Sequence, residues 1–361
     1  MIQDYGWSDA LQRDFEPHAA EGLVPGRVIQ QHRGRYRLAT PDGECDAALS
    51  GRFVHDAQAR VGHPAAGDWV AAQPPSGDGL ALVQHLLPRR SVFKRRAAGP
   101  KVDVQVVAAN VETALLAASL NADFNVRRLE RYLALAWDSG AAPVVVLTKA
   151  DLCDDPAPLI AAAEQAAVGA PVVALSALSG EGLAALAPYL KPGETAVLLG
   201  SSGVGKSTLV NALLGEERMA TRDIREDDAR GRHTTTHREL VRLPSGALLL
   251  DTPGMRELAM WDADAGVAQV FGDVEAQVEA LAQGCRFRDC RHRAEPGCAV
   301  RAARESGELD DGRWKSWVKL QKELAHEHRK EDPQARAEAM KVWMRISKAN
   351  RKRKKGGWAD A

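Results

Sequence analysis

One stretch decides the fold of this 361-residue chain, Gly200-Ser201-Ser202-Gly203-Val204-Gly205-Lys206-Ser207. It follows an apolar, strand-like run at Ala196–Leu199 and opens a helical pattern at Thr208–Leu214. The spacing GxxxxGK[ST] between a strand and a helix predicts a loop whose backbone N–H groups surround phosphate at a helix N-terminus. We therefore expect a P-loop domain that binds a nucleotide.

Each part of this loop has an expected role. Lys206 can reach the β- and γ-phosphates and assist catalysis, and the Ser207 hydroxyl can bind Mg²⁺. The predicted nucleotide contacts are Gly200, Ser201, Ser202, Gly203, Val204, Gly205, Lys206, Ser207 and Thr208.

Short apolar runs alternate with helical patterns from residue 102 to about residue 261. Helical patterns such as Val126–Asp138 and Leu159–Ala167 separate several of the runs. Continuous apolar runs of strand length predict buried parallel strands with crossover helices. The runs are Val104–Ala108, Ala114–Ser119, Val144–Leu147, Val172–Ala174, Val197–Leu199 and Ala247–Leu250.

Two segments after predicted strands indicate a guanine base. Thr148-Lys149-Ala150-Asp151 is similar to the NKxD motif of GTPases, in which Asp151 would accept hydrogen bonds from N1–H and the 2-amino group of guanine. Adenine offers neither pairing, so it is discriminated against. Thr148 stands where asparagine is usual. Whether threonine makes the contact with the phosphate loop that the asparagine makes is therefore an open question. Leu175-Ser176-Ala177 is similar to the second base motif, with Ser176 and Ala177 at the base.

Two more segments are typical of nucleotide switches. Asp251-Thr252-Pro253-Gly254 follows the last apolar run and is similar to the DxxG motif. Asp251 would hold Mg²⁺ through water, and the Gly254 N–H would meet the γ-phosphate. In the preceding segment Gly231–Thr236 we choose Thr235, among three threonines, as the ligand of Mg²⁺ and γ-phosphate.

The order of the motifs is permuted. The base motifs come first, then the phosphate loop, then the switches, whereas a standard GTPase begins with the phosphate loop. A fold can survive such a cut because chain termini usually lie at the surface and close together. The cut also brings the DxxG motif close in sequence to the C-terminal part, so a switch movement could act on it directly.

Met255 stands where many GTPases carry the glutamine that orients the attacking water. Methionine cannot do this, so we expect slow intrinsic hydrolysis that needs another group. His233 is the catalytic candidate, and a loop histidine without a catalytic part is the alternative.

A metal centre is predicted from the spacing Cys285-x4-Cys290-x-His292-x5-Cys298. Three thiolates and one imidazole complete a tetrahedral set for one structural zinc ion and leave no open position for catalysis. Arginines alternate through the same loop, which suits a nucleic-acid backbone.

Five short β-type stretches between Gly26 and Leu87 predict a small barrel. An OB-fold is the natural candidate, although an SH3-like barrel would give much the same pattern. Residues 1–22 look like a loose leader, and Pro88–Lys101 looks like a basic linker that could contact phosphate. The stretches are Arg27–Gln31, Arg35–Ala39, Ala47–Leu49, Asp68–Ala72 and Leu80–His85.

Charge is unevenly distributed although the formal net charge is zero. From Arg313 onward there are 15 Lys/Arg and 6 Asp/Glu, a net charge of +9, against −9 for the rest. This tail, with helical patterns at Arg313–Glu331 and Gln334–Lys348, indicates a polyanionic partner such as RNA, or a solvated helical tail as the alternative. No run is long enough to cross a bilayer and no signal peptide is evident, so we expect a cytoplasmic protein without a membrane partner.

These features together resemble the small ribosomal subunit-dependent GTPase family RsgA, also called YjeQ, over nearly the whole chain. The resemblance also rests on Gly67-Asp68-Trp69-Val70 and Asn121-Ala122-Asp123-Phe124-Asn125. It implies a multidomain fold: an all-β OB-fold barrel that binds RNA, a central circularly permuted α/β GTPase domain, and a C-terminal helical zinc-binding domain. The expected limits are 1–22 for the leader and 23–95, 96–270 and 271–361 for the three domains.

The resemblance implies a function as well. It implies hydrolysis of GTP to GDP and phosphate with Mg²⁺, stimulated by the small ribosomal subunit, whose rRNA the protein binds and whose late maturation it assists. Nothing in the sequence requires more than a monomer.

Two other classes of function stay open. One is a nucleotide-regulated RNA-binding or chaperone module in which hydrolysis is incidental; stimulation by ribosomal subunits would separate it from an assembly GTPase. The other is a P-loop kinase for a small molecule, for which the DxxG motif and switch threonines have no use.

Replacing His233 with Ala tests its catalytic role. We expect lower GTP turnover with nearly unchanged nucleotide affinity, because the imidazole would act on water rather than on the bound nucleotide. Steady-state turnover and equilibrium binding of a fluorescent GTP analogue measure the two quantities. An unchanged turnover number would reject the role.

Overall fold

A computed structural model of the chain describes residues 1–32, 34–56, 62–77, 79–96, 104–217, 238–251 and 263–331. Within these ranges the chain forms thirteen strands and eight α-helices. They build a barrel, a mostly parallel sheet with helices on both faces, and a C-terminal helical part.

Five strands of the described ranges close the N-terminal barrel. Neighbours pair in the order β1-β2-β3-β5-β4, β4 returns to β1, and β3 and β5 form the parallel pair. Val28, Leu38 and Val83 lie among the side chains that fill the interior. This closed five-stranded arrangement confirms the OB-fold prediction. The elements are β1 (Val24–His32), β2 (Arg35–Thr40), β3 (Gly43–Leu49), α2 (Gly51–Asp56), β4 (Trp69–Gln73) and β5 (Ala81–Leu86).

The first 22 residues are packed on the barrel, so the expectation of a loose leader is wrong. A 3₁₀ turn (Ile2–Tyr5) leads to α1 (Asp9–Ala19). Leu11 and Phe15, four residues apart, place apolar side chains on one face of α1. That face is buried in a cluster with Trp69 of the barrel.

The basic segment predicted as a linker contains a strand. β6 (Val92–Arg96) pairs antiparallel with β7 (Val104–Ala109) in a separate two-stranded sheet. The expectation that the apolar run at Val104–Ala108 belongs to the parallel sheet is therefore wrong. The run is apolar because Val106 and Val107 belong to two different buried clusters.

Arg89 of the same segment is not available for phosphate. Its Nε and Nη2 donate to the two carboxylate oxygens of Asp68, at 2.8 and 2.7 Å. Asp68 is fully buried, which raises its pKa, and the Arg89 guanidinium opposes that rise. The pair joins the barrel to the strand that follows it.

Within the described residues, six strands form the central sheet, in the order β10-β9-β8-β11-β13-β12. All are parallel except β12, which runs antiparallel to β13. The strands are β8 (Thr113–Ser119), β9 (Ala142–Thr148), β10 (Val172–Ala174), β11 (Thr195–Gly200), β12 (Arg238–Arg242) and β13 (Leu248–Asp251).

Helices cover both faces of this sheet, which explains its continuous apolar runs. In β9, Val145 and Leu147 face a cluster that contains residues of α3 and α4, whereas Val144 and Val146 face a cluster that contains residues of α5. A strand buried on both sides needs apolar residues at every position. The helices are α3 (Val126–Ser139), α4 (Ala157–Ala166) and α5 (Lys206–Leu214).

The barrel and the central sheet are continuous. The sequence did not predict β12, whose residues Arg238 and Glu239 pair antiparallel with Gln31 and Gln30 of β1. Arg238 Nη1 also donates to Gln31 Oε1 at 2.9 Å and to the Val106 carbonyl at 3.3 Å. Burial, with the charge of Arg95 adding to it, lowers the pKa of Arg238 to about 10.

Arg27 of β1 forms a second connection between the barrel and the sheet. Its side chain is buried, with 2% of the residue exposed. The guanidinium donates from Nη2 to Thr195 Oγ1 at 2.6 Å and to the Asn110 carbonyl at 3.2 Å, and from Nη1 to the Tyr5 carbonyl. Thr195 begins β11, the strand that ends at the phosphate loop.

Three helices form the described C-terminal part: α6 (Asp264–Ala282), α7 (Ala299–Ser306) and α8 (Asp311–Glu331). The buried Glu130 of α3 accepts a hydrogen bond from Ser316 Oγ of α8 at 2.6 Å. Arg313 of α8 donates to the carboxylate of Asp273 of α6 at 2.6 Å. The domain limits given above remain predictions, since β6 and α6 run across two of them.

No helix among the described residues has both the length and the apolar composition needed to cross a membrane.

Gly266 tests the contact between α3 and α6. A Cβ at this position would lie 1.9 Å from the Ala134 carbonyl oxygen of α3, whereas a Cβ at Gly272 on the same helix would meet nothing within 4 Å. We expect Gly266→Ala to lower the free energy of unfolding by about 1 to 3 kcal/mol, because the helices must separate. Gly272→Ala, on the exposed face, should raise it by up to about 1 kcal/mol. Urea unfolding measures both, and equal effects would contradict the close crossing.

Candidate nucleotide-binding site and metal centre

Those of the predicted nucleotide motifs that fall within the described residues lie at one edge of the central sheet. The parallel strands β9, β10, β11 and β13 end at Thr148, Ala174, Gly200 and Asp251. Because the carboxyl ends of parallel strands meet at the same edge of a sheet, the base motifs, the phosphate loop and Asp251 all follow or end strands at that edge. The permuted order along the chain is therefore compatible with a single site at this edge.

Glycines shape the turn of the phosphate loop. Gly203 and Gly205 have φ values of 75° and 96°, a left-handed backbone that disfavours other residues. Gly205 is the N-cap of α5, and its carbonyl accepts the Leu209 N–H. The Lys206 ammonium donates to the carbonyls of Gly200 at 2.8 Å and Ser201 at 2.5 Å.

The first base motif contacts the phosphate loop through two side chains. Thr148 Oγ1 donates to the Val204 carbonyl at 2.6 Å, so the threonine hydroxyl makes the link that its replacement of asparagine had left open. Lys149 Nζ donates to the Gly203 carbonyl at 2.7 Å. Lys149 itself has a φ of 60°, a conformation that few non-glycine residues adopt.

The two base motifs also contact each other. The Leu175 N–H donates to the Leu147 carbonyl at 2.8 Å, and the Ala150 N–H donates to the Leu175 carbonyl at 3.2 Å. The fully buried Ser176 accepts the Ser179 N–H on Oγ at 3.2 Å, which fixes the turn after β10. Asp151 is exposed, in a 3₁₀ turn beside this pair of segments.

One group beside the phosphate loop has no role in the sequence-based interpretation. Asp123 Oδ2 accepts a hydrogen bond from Ser201 Oγ at 3.4 Å and from Arg128 Nη1 at 3.0 Å. Hydrogen bonds from Arg128 keep the pKa of Asp123 below its usual range. Asn125 caps α3 through Arg128 N–H, a signal that marks the helix start in the sequence but does not reveal the contact with Ser201.

Several predicted residues lie outside the described residues: His233, Thr235, Gly254 and Met255. Asp251 ends β13, where its backbone pairs with that of Glu239. Ser207 and Thr208 lie in the first turn of α5, at the helix end that meets the loop.

The predicted metal ligands converge. Cys285, Cys290, His292 and Cys298 place four ligand atoms within 4.8 Å of one another. Cys285 Sγ and Cys298 Sγ lie 3.6 and 3.5 Å from His292 Nδ1 and 4.0 Å from each other. A tetrahedron with Zn–S bonds of about 2.3 Å and a Zn–N bond of about 2.0 Å has edges of roughly 3.5 to 3.8 Å. This cluster could therefore hold a zinc ion with little movement.

Local hydrogen bonds hold the metal loop in this conformation. Cys298 is the N-cap of α7 and accepts the Arg301 N–H at 3.3 Å. The Glu295 carboxylate accepts backbone N–H groups of Arg291, Arg293 and Ala294. These backbone hydrogen bonds, with that of its own N–H the largest, lower the pKa of Glu295 to about 2.

The family model and the relatives that match this chain all carry the name RsgA. The family model described as RsgA GTPase matches residues 86–261. A protein of Opitutus terrae named small ribosomal subunit biogenesis GTPase RsgA is 48% identical, and the alignment covers 99% of each chain. A protein of the same name from Streptomyces coelicolor is 48% identical over 99% of this chain and 96% of its own.

Two solved structures are similar over most of the chain. The crystal structure of YjeQ from Thermotoga maritima aligns with a TM-score of 0.58 at 26% identity, covering 84% of this chain and 99% of that one. The structure of YloQ, described as a circularly permuted GTPase, has a TM-score of 0.55 at 25% identity, with coverages of 84% and 96%.

Thr148 provides a test of the contact between base motif and phosphate loop. Thr148→Val keeps the shape but leaves the Val204 carbonyl without its donor, so we expect the free energy of unfolding to fall by about 1 to 3 kcal/mol. Thr148→Ser keeps the hydroxyl and loses one methyl group, worth about 0.8 kcal/mol. Urea unfolding without nucleotide measures both. If Thr148→Val lowered the free energy of unfolding less than Thr148→Ser does, the result would contradict the hydrogen bond.

Proposed function

The chain belongs to the RsgA family of small ribosomal subunit biogenesis GTPases, and we propose that it binds the small ribosomal subunit and assists its late maturation. It hydrolyses GTP to GDP and phosphate, and the subunit stimulates that hydrolysis. Binding of the subunit's rRNA is part of the proposal.

The observation that carries the nucleotide-binding part of this proposal is the contact of Thr148 and Lys149 with the phosphate loop, and the part that concerns the ribosomal subunit rests on the similarity to the RsgA proteins. Both side chains donate to carbonyls of that loop, at 2.6 and 2.7 Å. The segment proposed to recognise the base and the segment proposed to bind the phosphates thus form one hydrogen-bonded unit. Such an arrangement can discriminate between bases and bind the phosphates of the same nucleotide.

Guanine recognition is assigned to the two base motifs. Asp151 accepts hydrogen bonds from the guanine N1–H and 2-amino group, Lys149 lies along the base, and the turn that contains Ser176 and Ala177 lies beside it. Asp151 is exposed and therefore accessible to a ligand. An adenine ring would leave this carboxylate without donors, which accounts for the preference for GTP.

Phosphate binding is assigned to residues 200–208. The Lys206 ammonium, which donates to two carbonyls of its own loop, can turn to the β- and γ-phosphate oxygens. Ser207 and Thr235 are the proposed direct ligands of Mg²⁺, and Asp251 acts on the ion through water. Mg²⁺ bound with GTP supplies charge neutralisation at the phosphates.

Hydrolysis in this proposal depends on three side chains. Lys206 and Thr235 stabilise the charge on the γ-phosphate, and His233 assists the attacking water in place of the glutamine that Met255 replaces. The Gly254 N–H meets the γ-phosphate, so loss of that phosphate would change the DxxG segment.

Zinc at the Cys₃His cluster is proposed to be structural. With four protein ligands no position is left for water, and the ion would join the loop to the start of α7. The arginines of this loop are then held near one another, where they can contact the phosphates of RNA. They are Arg286, Arg288, Arg291 and Arg293.

We propose in addition that the protein acts as a monomer in the cytoplasm, where ribosomal subunits mature. The competing proposal is a nucleotide-regulated RNA-binding or chaperone module, in which hydrolysis is incidental.

Turnover of GTP and ATP with purified ribosomal subunits tests the function. We expect slow hydrolysis of GTP alone, raised by at least about tenfold by small subunits and not by large ones, because the chain lacks the switch glutamine. ATP should remain unhydrolysed. Released phosphate is measured with and without each subunit.

Lys206→Ala is the control for contaminating hydrolases, and it should abolish turnover under every condition. Turnover indifferent to both subunits would overturn the proposed activation and favour the RNA-binding module. A preference for ATP would instead favour a kinase.

A further inference from the structure

The metal loop, residues 285–298, exposes one aromatic side chain to solvent. Phe287 is 42% exposed, and no other aromatic residue is among the exposed large apolar side chains of the described ranges. Trp314 and Trp317 of α8, by contrast, are half-buried and pack against the largest hydrophobic cluster. A single exposed apolar residue is ordinary on its own, so the significance of Phe287 depends on its neighbours.

Those neighbours are arginines that no carboxylate neutralises. All four are exposed, and none forms an ion pair with another described residue. On the adjoining helices, Arg301, Arg304 and Arg313 are each paired with a carboxylate. The loop's own Glu295 carboxylate accepts backbone N–H groups instead, and Asp289 is the only other acidic residue of the loop. The unpaired arginines are Arg286, Arg288, Arg291 and Arg293.

Backbone hydrogen bonds hold the exposed ring in position. The Arg286 N–H donates to the Gly297 carbonyl at 3.0 Å, and the Cys290 N–H donates to the Phe287 carbonyl at 3.3 Å. The Arg286 guanidinium lies 5.6 Å from the centroid of the Phe287 ring, within the range of a cation–π contact. Because the ring is already positioned, a ligand that stacks on it loses little free energy to the ordering of the loop.

An aromatic ring among unpaired guanidiniums fits a single-stranded RNA segment. Each nucleotide of such a segment offers a phosphate to an arginine and an unstacked base to a ring. A duplex keeps its bases inside the stack, so it would use the arginines and leave the ring unused. An acidic protein surface would likewise pair with the charges without needing an aromatic side chain.

We propose that Phe287 stacks on an unpaired RNA base while the arginines of the metal loop bind the flanking phosphates. This inference rests on the proposed binding of ribosomal RNA, and it adds that the loop selects a single-stranded segment. The arginines supply attraction that falls with salt and is the same for every sequence. The ring supplies the preference for single strands over duplexes, because stacking needs a base whose face is free.

Binding of the full chain, supplied with zinc, to a short oligouridylate and to an RNA duplex of the same length tests this proposal. We expect Phe287→Ala to weaken oligouridylate binding by about tenfold and to leave duplex binding unchanged, because only the single strand offers a base to the ring. Phe287→Trp keeps a stacking ring and should retain the affinity of the unaltered chain for both RNAs. Val168→Ala, which truncates a similarly exposed apolar side chain after α4, is the matched control. Fluorescence anisotropy measures each affinity.

Salt dependence separates the ring from the charges. Arg288→Ala should weaken both RNAs and reduce the slope of log affinity against log salt by about 0.7 to 0.9, whereas Phe287→Ala should leave the slope unchanged. The zinc content of each variant shows that weaker binding is not loss of the metal loop.

Unchanged oligouridylate affinity in Phe287→Ala, or equal weakening of both RNAs, would overturn the stacking contact. Stimulation of GTP turnover by small subunits in the unaltered chain would show in that case that the proposed function stands. An unaltered chain that binds small subunits but neither RNA would also overturn the contact, and would favour an acidic protein surface as the partner of the loop.

Discussion

Burial of the Arg27 guanidinium is the constraint on which the arrangement of the first two parts of the chain depends. A charge this deeply buried is costly unless its donors are satisfied, and burial accordingly lowers its pKa to about 10. Its partners come from three segments: the first turn, the end of β7 and the start of β11. The guanidinium also lies 5.0 Å from the centroid of the Trp69 ring. These three segments meet around the guanidinium, whose Nε has no partner among the described residues, so the barrel and the sheet are joined at one buried charge.

The position of the phosphate loop depends on the same buried arginine. Strand β11 carries Thr195 at one end and the phosphate loop at the other, and β12 pairs with both β13 and β1. The barrel is therefore hydrogen-bonded to the sheet at the strand that follows the segment assigned to the switch threonine. On the far side, α3 contacts α6 and α8 through Gly266 and Glu130. The two parts proposed to bind RNA are thus both packed directly against the sheet or helices of the part that carries the phosphate loop.

Local sequence patterns predicted the individual strands, loops and metal ligands well. They predicted poorly which of these elements pair or pack with one another. The phosphate loop, the OB-fold strands and the Cys₃His set were found because spacing within a few residues defines them. Arg27 and Thr195 are 168 residues apart, and nothing near either residue indicates the other. The same reason hid β12 and the Asp123–Ser201 contact. The Val104–Ala108 run was misassigned because burial against two clusters gives the same apolar pattern as a central parallel strand.

The pairing of β12 with β1 has a further consequence for the solubility of fragments. In a nucleotide-binding sheet standing alone, β12 would be the outermost strand, with unpaired N–H and C=O groups facing water. Exposed edges of this kind are where sheets of different molecules associate. The barrel covers the beginning of that edge, so removing it would uncover a surface prone to intermolecular pairing. The barrel acts in this respect as a protective cap for the catalytic part, in addition to any contact it makes with RNA.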